Sequence, residues 1–348
     1  AAIEADYQGL PLIMVTADRP RSYRGSGAPQ SIEQLGLYSH YVERTWDVEG
    51  EWSGEMVVSL RRPLHLNVCF AEPLIDVAAA EFLPRSSPSV AREKVPDSRF
   101  ASAPTALPMR RPLILVGALP PSAVPHVLAW LRGCARPIYL EAPSQLRGHP
   151  DLASHEWTEG DKGLALNDFD GVIRIGGIPT LRLWRDLENS QHPVVHFSHL
   201  PYSGLPRARQ IHALSALAGV SVKFEPWTRA PSLRLPTWLE QYPLSEPAWV
   251  NWLSRQLPAN ARLFLGNSLP IREWDLAASR EVRAEIFVNR GVNGIDGLVS
   301  TFLGVAAKGA SNWALLGDLS ALYDLSGPWA ARGLGIDDLN LVILNNGG

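Results

Sequence analysis

The chain has 348 residues, 46% of them hydrophobic and 19% charged, which fits a folded globular protein and excludes disordered or fibrous chains. Its 32 basic and 35 acidic residues leave a formal charge of −3, so no basic face for a nucleic-acid backbone is signalled. Two cysteines, Cys69 and Cys134, are too few for a disulfide framework and have no metal-type spacing, which points to a reducing, cytoplasmic compartment.

The opening residues AAIEADYQGL read as a helix already under way, and the last residues, LVILNNGG, stop directly after a strand. The sequence is therefore expected to be an internal stretch of a longer chain. Residues 10–17, LPLIMVTA, form an unbroken apolar run, the pattern of a parallel strand buried on both faces. Asp18-Arg19-Pro20 ends it, and RSYRGSGAPQ reads as a loop at its carboxyl end. Residues 64–70, LHLNVCF, are a second strand, with Cys69 as a buried core thiol. Residues 81–112 turn rich in Pro, Ser and Arg and read as a linker.

Strand-like runs follow at 113–117, 137–140, 171–176 and 193–197, with the helical patterns SAVPHVLAWLRGCA and TLRLWRDLEN between some of them. This predicts a second parallel-sheet unit, and no GxGxxG motif signals a dinucleotide in it. Residues 113–131 are uncharged and long enough to span a bilayer, but Pro120, Pro121 and Pro125 interrupt them. A strand, a turn and a helix fit better than a membrane span. A second Pro-rich connection covers 225–247. From 248 a third unit begins, with strands at 261–265, 285–288, 312–316 and 339–344. The expected fold is α/β: three consecutive parallel-sheet units at 1–80, 113–224 and 248–348, the first lacking its start and the last its end.

The strongest chemical signal lies in the third unit. Strand NWALL runs into Gly317-Asp318-Leu319-Ser320, and strand LNLVIL runs into Asn345-Asn346-Gly347-Gly348. Asp318 and Asn345 are 27 residues apart, the length of one strand–helix–strand crossover, which brings both to the carboxyl edge of one sheet. A carboxylate and an amide there, with glycines that expose backbone carbonyls, make an all-oxygen set suited to Mg²⁺ and a diphosphate. Gly317 leaves room for a phosphate beside a helix start. The plain alternative is that Asp318 is a helix N-cap and Asn345 a turn residue.

The Gly-Asp to Asn-Asn spacing resembles the thiamine diphosphate signature of transketolase- and pyruvate-decarboxylase-like enzymes. Further motifs narrow it: Leu319-Ser320-Ala321-Leu322-Tyr323-Asp324, Gly266-Asn267-Ser268, Asn289-Arg290-Gly291, Gly294-Ile295-Asp296-Gly297, Thr16-Ala17-Asp18-Arg19-Pro20 and Phe70-Ala71-Glu72-Pro73-Leu74. Together they resemble the 2-succinyl-5-enolpyruvyl-6-hydroxy-3-cyclohexene-1-carboxylate (SEPHCHC) synthase family of thiamine diphosphate-dependent enzymes. They spread from residue 16 to residue 348, so the resemblance covers nearly the whole sequence.

The resemblance implies a transferase that decarboxylates 2-oxoglutarate and adds the four-carbon unit to isochorismate, in menaquinone or phylloquinone biosynthesis. It implies thiamine diphosphate with Mg²⁺, or Mn²⁺ in its place, held by Asp318, Asn345 and the Gly347 carbonyl. Ser268, Gly317, Leu319 and Ser320 would contact the cofactor, and Ile295 would be the apolar wedge that bends it. Arg19, Gln30, Asn267, Ser268, Arg272 and Arg290 would surround the substrates, and bidentate arginine forks suit their carboxylates. For each arginine taken singly, a solvated surface cation is the commoner fate. The resemblance also implies a pyrimidine-binding-type domain at 1–80, a central domain, a diphosphate-binding domain at 248–348, and a homodimer or homotetramer.

Other parts of the resemblance are missing or open. The family's catalytic glutamate and an early Ser-Arg loop are not found before residue 16, so the chain as it stands is expected to be inactive. Arg182 is a poor local match to a basic residue of the family's central domain. Two competing readings are another thiamine diphosphate 2-oxo acid decarboxylase or carboligase, and a non-catalytic homologue; the arginine-rich site argues against small neutral acceptors. His196 and His199 lack a third ligand and read as structural. Of the basic residues only Lys94, Lys162, Lys223 and Lys308 are lysines, a bias that codon usage explains better than recognition of carboxylate or phosphate by arginine forks.

Overall fold

A computed structural model describes residues 1–50, 62–72, 74, 99–104, 106–160, 164, 166–227 and 234–348. Pro73 of the Phe-Ala-Glu-Pro-Leu motif, Lys94 and Lys162, most of the first expected linker (81–98) and residues 228–233 of the second lie outside the described residues. The chain divides into two units, Ala1–Pro96 and Asp97–Gly348.

In the first unit, helix α1 (Ala2–Gln8) precedes strand β1 (Ile13–Asp18), followed by β2 (Arg44–Glu49) and β3 (Leu64–Cys69). They form a parallel sheet of order β1-β3-β2, whose register aligns Asp18, Cys69 and Glu49 at the carboxyl edge. Strand β1 departs from the expectation of burial on both faces: Ile13 and Val15 are exposed, while Met14 and Thr16 are half-buried and Asp18 is buried. An edge strand with one open face alternates with period two, whatever its composition.

The second unit holds two parallel sheets. The central one contains β4 (Pro112–Val116), α2 (Val124–Leu131), β5 (Ile138–Leu140), β6 (Gly171–Ile175), α3 (Arg182–Asp186), β7 (Val194–Ser198) and β8 (Ile211–Ala213), in strand order β5-β4-β6-β7-β8. Side chains alternate between its faces. Ile114, Val116, Ile173 and Ile175 join the core under α2, and Leu113, Leu115 and Val172 join the one under α3. Each fully buried aliphatic side chain contributes about 1.5–3 kcal/mol. Arg174 breaks the apolar pattern on the α3 face. It donates to the carbonyls of Tyr202 and Ser203, and burial pushes its guanidinium down to about 9.

Helix α4 (Arg234–Gln241) occupies part of the expected second connection, and α5 (Glu246–Gln256) begins just before 248. Then come β9 (Ala261–Leu265), α6 (Leu269–Ala277), β10 (Glu285–Val288), α7 (Leu298–Val305), β11 (Ser311–Gly317), α8 (Asp318–Leu322), α9 (Gly327–Ala330) and β12 (Leu339–Leu344). The strand order is β10-β9-β11-β12. Leu263, Leu265 and Leu315 pack under α5 and α6, while Phe264, Ala314 and Leu316 pack under α7. The uncharged stretch 113–131 becomes β4, a proline turn and α2. Among the described residues no helix is long and apolar enough to cross a membrane.

Candidate active site

Open parallel sheets take ligands beyond the carboxyl ends of their strands, at the point where successive crossovers diverge. In the last sheet that point lies between β9 and β11, because β10 lies on one side and β12 on the other. Leu265 pairs with Leu315, so Gly266-Asn267-Ser268 emerge beside Gly317-Asp318. A cleft of about 410 Å³ opens there. Asn267, Ser268, Ile295, Gly317, Asp318, Leu319 and Ser320 line it, together with Glu246, Leu269, Pro270, Leu344, Asn346 and Gly348. Its size lies within the roughly 300–1,000 Å³ of small-molecule sites.

Asn267 is 2% exposed and ties two parts of the cleft together. Its Nδ2 donates to the Gly294 carbonyl at 2.7 Å, and its Oδ1 accepts from Arg290 Nη1 at 3.3 Å. The segment carrying Arg290 and Ile295 is thereby fastened to the end of β9. Ser268 caps α6 with φ at +71°, a left-handed conformation uncommon for a residue with a side chain. Arg272 is exposed one turn along α6, and its Nε donates to the Ser268 carbonyl at 2.9 Å.

Asp318 opens α8 and its Oδ1 accepts from Leu319 N at 2.8 Å. Asn345 Oδ1 accepts from Gly347 N at 3.1 Å. Both bonds are the local roles expected of a helix-start residue and a turn residue. Gly317 pairs with Leu344, so Asp318 and Asn345 follow adjacent strand ends. Asp318 lines the cleft, whereas Asn345 lines an adjoining one of about 370 Å³ with Glu246, Trp249 and Val342. Among the described residues no hydrogen bond engages the second carboxyl oxygen of Asp318. A Cβ at Gly317 would meet nothing nearer than Ser320 Oγ at 4.0 Å, so the floor of the cleft is open.

Glu246 went unmarked in the sequence, because nothing in Ser245-Glu246-Pro247 separates a cleft residue from an ordinary helix start. It faces Glu273 of α6; burial first, then the Glu246 carboxylate, push Glu273 up to about 8.

Arg19 and Gln30 lie in the first unit, on a cleft of about 690 Å³ that includes Asp18, Tyr23, Phe70 and Glu72. Arg19 stacks over Tyr23 at 5.5 Å and pairs with Glu72 at 3.8 Å. Their loop is held by Arg24, which bridges Asp18 at 3.1 Å and Asp47 at 2.7 Å, while Asn67 Nδ2 donates to both carboxylates. The Arg24 guanidinium holds Asp47 far below the usual carboxylate range, against the opposing effect of burial. Burial would raise Asp18, but donation from Asn67, Arg24 and Arg19 N leaves it lowered. Cys69 lies in this network, and burial, followed by the Asp47 charge, raises its thiol.

His196 and His199 are pushed down to about 3 and about 4 by burial and then by Arg174. Arg182 is exposed and pairs with Asp186 at 3.8 Å. Among the described residues no group of three or more His, Cys, Asp or Glu could hold a metal ion. A magnesium site with a single carboxylate is of a different kind.

No family model matches the chain. It is 42% identical over 373 aligned positions to the 2-succinyl-5-enolpyruvyl-6-hydroxy-3-cyclohexene-1-carboxylate synthase of Bdellovibrio bacteriovorus, covering 100% of this chain and 70% of that protein. It is 32% identical to the synthases of the same name from Akkermansia muciniphila and Chloroflexus aurantiacus, covering 100% of this chain and 68% of each.

Proposed function

The chain belongs to the 2-succinyl-5-enolpyruvyl-6-hydroxy-3-cyclohexene-1-carboxylate synthase family, and on that premise we propose that it serves menaquinone or phylloquinone biosynthesis as a carbon–carbon-forming transferase. The reaction is decarboxylation of 2-oxoglutarate and addition of the remaining four-carbon unit to isochorismate, giving SEPHCHC. One observation carries the reading: Asn267, Ser268, Ile295, Gly317, Asp318 and Ser320, from three separate motifs between residues 267 and 320, line one cleft at the sheet's divergence point.

The residues present fit thiamine diphosphate and Mg²⁺ (or Mn²⁺). Asp318 offers a carboxyl oxygen, Asn345 a carboxamide oxygen and Gly347 a backbone carbonyl, the hard donors that magnesium takes. Gly317 and the buried Ser320 leave a polar floor for a diphosphate, with Leu319 beside it. When bound, thiamine diphosphate supplies the electron sink for loss of CO₂ from a 2-oxo acid. Ile295 presents an apolar side chain to the same space. Arg272 and Arg290 bind carboxylates, Asn267 orients Arg290, and Ser268 offers a hydroxyl. Arg19 and Gln30 line the first unit's own cleft and are its substrate-contacting residues. The domains run 1–80, 113–224 and 248–348, and the working enzyme is a cytoplasmic homodimer or homotetramer.

The test is turnover by full-length protein. It should consume 2-oxoglutarate and isochorismate only with Mg²⁺ and thiamine diphosphate, and Asp318→Ala should abolish this. Unchanged turnover in the variant refutes the reading, and turnover with water or pyruvate in place of isochorismate reassigns the acceptor.

A further inference from the structure

The central sheet has its own divergence point, between β4 and β6, where a ligand would be expected. Here the space is closed. Gly117 follows β4, and a Cβ on it would lie 2.6 Å from the carbonyl oxygen of Gly177, beyond β6. Polar side chains fill the remainder. Glu141, just past β5, accepts from Thr180 N and, at 2.6 Å, from Thr180 Oγ1. Asp275 reaches in from α6, accepts from Ala142 N at 2.6 Å and stands 3.5 Å from the same Thr180 Oγ1. Glu141 is 1% exposed and Asp275 2%.

Thr180 has one hydroxyl proton and two carboxyls beside it. Two carboxylates this close, away from water, do not both ionise. Three cations face the pair, Arg290 lowering Glu141 and Arg147 and Arg280 lowering Asp275, but burial outweighs them. Arg147 donates to the carbonyls of Asp275, Ala278 and Ser279, Arg280 pairs with Glu156, and Arg290 donates to Asn267. Tyr139 is buried, and burial first raises its hydroxyl well above its ordinary value, which keeps it neutral. Burial, then the Glu141 charge, push Asp275 up to about 8, and burial raises Glu141 as well.

We propose that Glu141 and Asp275 share one proton across Thr180 and that this clasp positions α6, and with it Ser268 and Arg272, at the active-site cleft. Helix α6 carries Ser268 as its N-cap and Asp275 in its last turn, while Arg147 holds the carbonyls at the same carboxyl end. A helix this short is stiff, so fixing one end fixes the other. The positioning role rests on the functional reading above; the shared proton does not.

The sign of the pH effect follows. The folded protein keeps a proton that the unfolded chain releases near pH ~4, so stability falls as pH rises from about 4 to about 8 and then levels off. Asp275→Asn keeps the acceptor for Ala142 N and removes the acid. In full-length protein, Tm is followed from about pH 5 to about pH 9, alongside the infrared stretch of protonated carboxyls and the KM and kcat for 2-oxoglutarate. Wild type should show a protonated-carboxyl band at neutral pH that Asp275→Asn and Glu141→Gln each lose, and its Tm should decline with pH more steeply than in either variant. Asp275→Ala should raise KM about tenfold, and Asp275→Asn should restore it to within about twofold, because asparagine still accepts from Ala142 N and alanine does not. Band and Tm profiles unchanged by Asp275→Asn and Glu141→Gln overturn the shared proton. A KM unaltered in Asp275→Ala overturns the positioning role. If wild type does not turn over 2-oxoglutarate, the functional reading and the positioning role fall together, while the band and the Tm profiles still decide the clasp.

Discussion

Asn267→Ala should release the segment that carries Arg290 and Ile295 from the end of β9. Asn267 is buried and makes two bonds, one to a neutral carbonyl and one to a guanidinium. A bond between neutral groups contributes about 1 kcal/mol, and one to a charged group about 1.5–3 kcal/mol. The Arg290 bond is long at 3.3 Å and Arg290 is only half-buried, so water recovers much of it. The expected loss is about 2 kcal/mol, which in a unit of this size lowers Tm by about 4–8 °C. Asn267→Asp should separate the two bonds, because aspartate pairs better with Arg290 but donates nothing to the Gly294 carbonyl. Scanning calorimetry of both variants gives the size of the effect, and limited proteolysis shows whether cleavage moves to residues 289–297. A Tm drop below about 1 °C in Asn267→Ala, with an unchanged cleavage pattern, would refute the fastening argument.

Two further outcomes are expected. Gly148 has φ at +73°, and a Cβ there would sit 2.2 Å from the Arg280 carbonyl oxygen, so Gly148→Ala should lose about 2–4 kcal/mol in urea unfolding. Asp18 and Asp47 are held below the usual carboxylate range, so the unfolded chain takes up protons first as pH falls, and the stability they contribute is lost below about pH 4. Arg24→Leu removes their shared counter-charge, and acid titration followed by circular dichroism should show a flatter profile with lower stability at neutral pH.

The strand reading from sequence lands within about one residue for the predicted strands of the central and last sheets, because mostly apolar runs there are bounded by Gly, Pro, Asn and Asp. It misses β2, whose Arg44, Asp47 and Glu49 disguise a half-buried edge strand, and β8, which is three residues long. It overstates the burial of β1, since composition alone does not separate an apolar run covered on both faces from one left open on one. The cleft was legible where Gly, Asn, Asp and Ser punctuate strand ends, as at 266–268 and 317–320. Glu246, Glu141, Thr180 and Asp275 were not, because each acquires its neighbours only through contacts between segments distant in sequence, such as the 133 residues separating Ala142 N from its Asp275 acceptor.

Cys69 and Cys134 are both buried, and burial raises both thiols, Cys134 up to about 12. Alkylating reagents attack the thiolate, so both native sulfurs should stay unmodified under labelling conditions that consume a surface thiol within minutes. A cysteine installed at the exposed Trp329 would then be the one reactive handle on the native fold, and a fluorophore there would report on the α9 surface without first stripping the natural cysteines from the sequence.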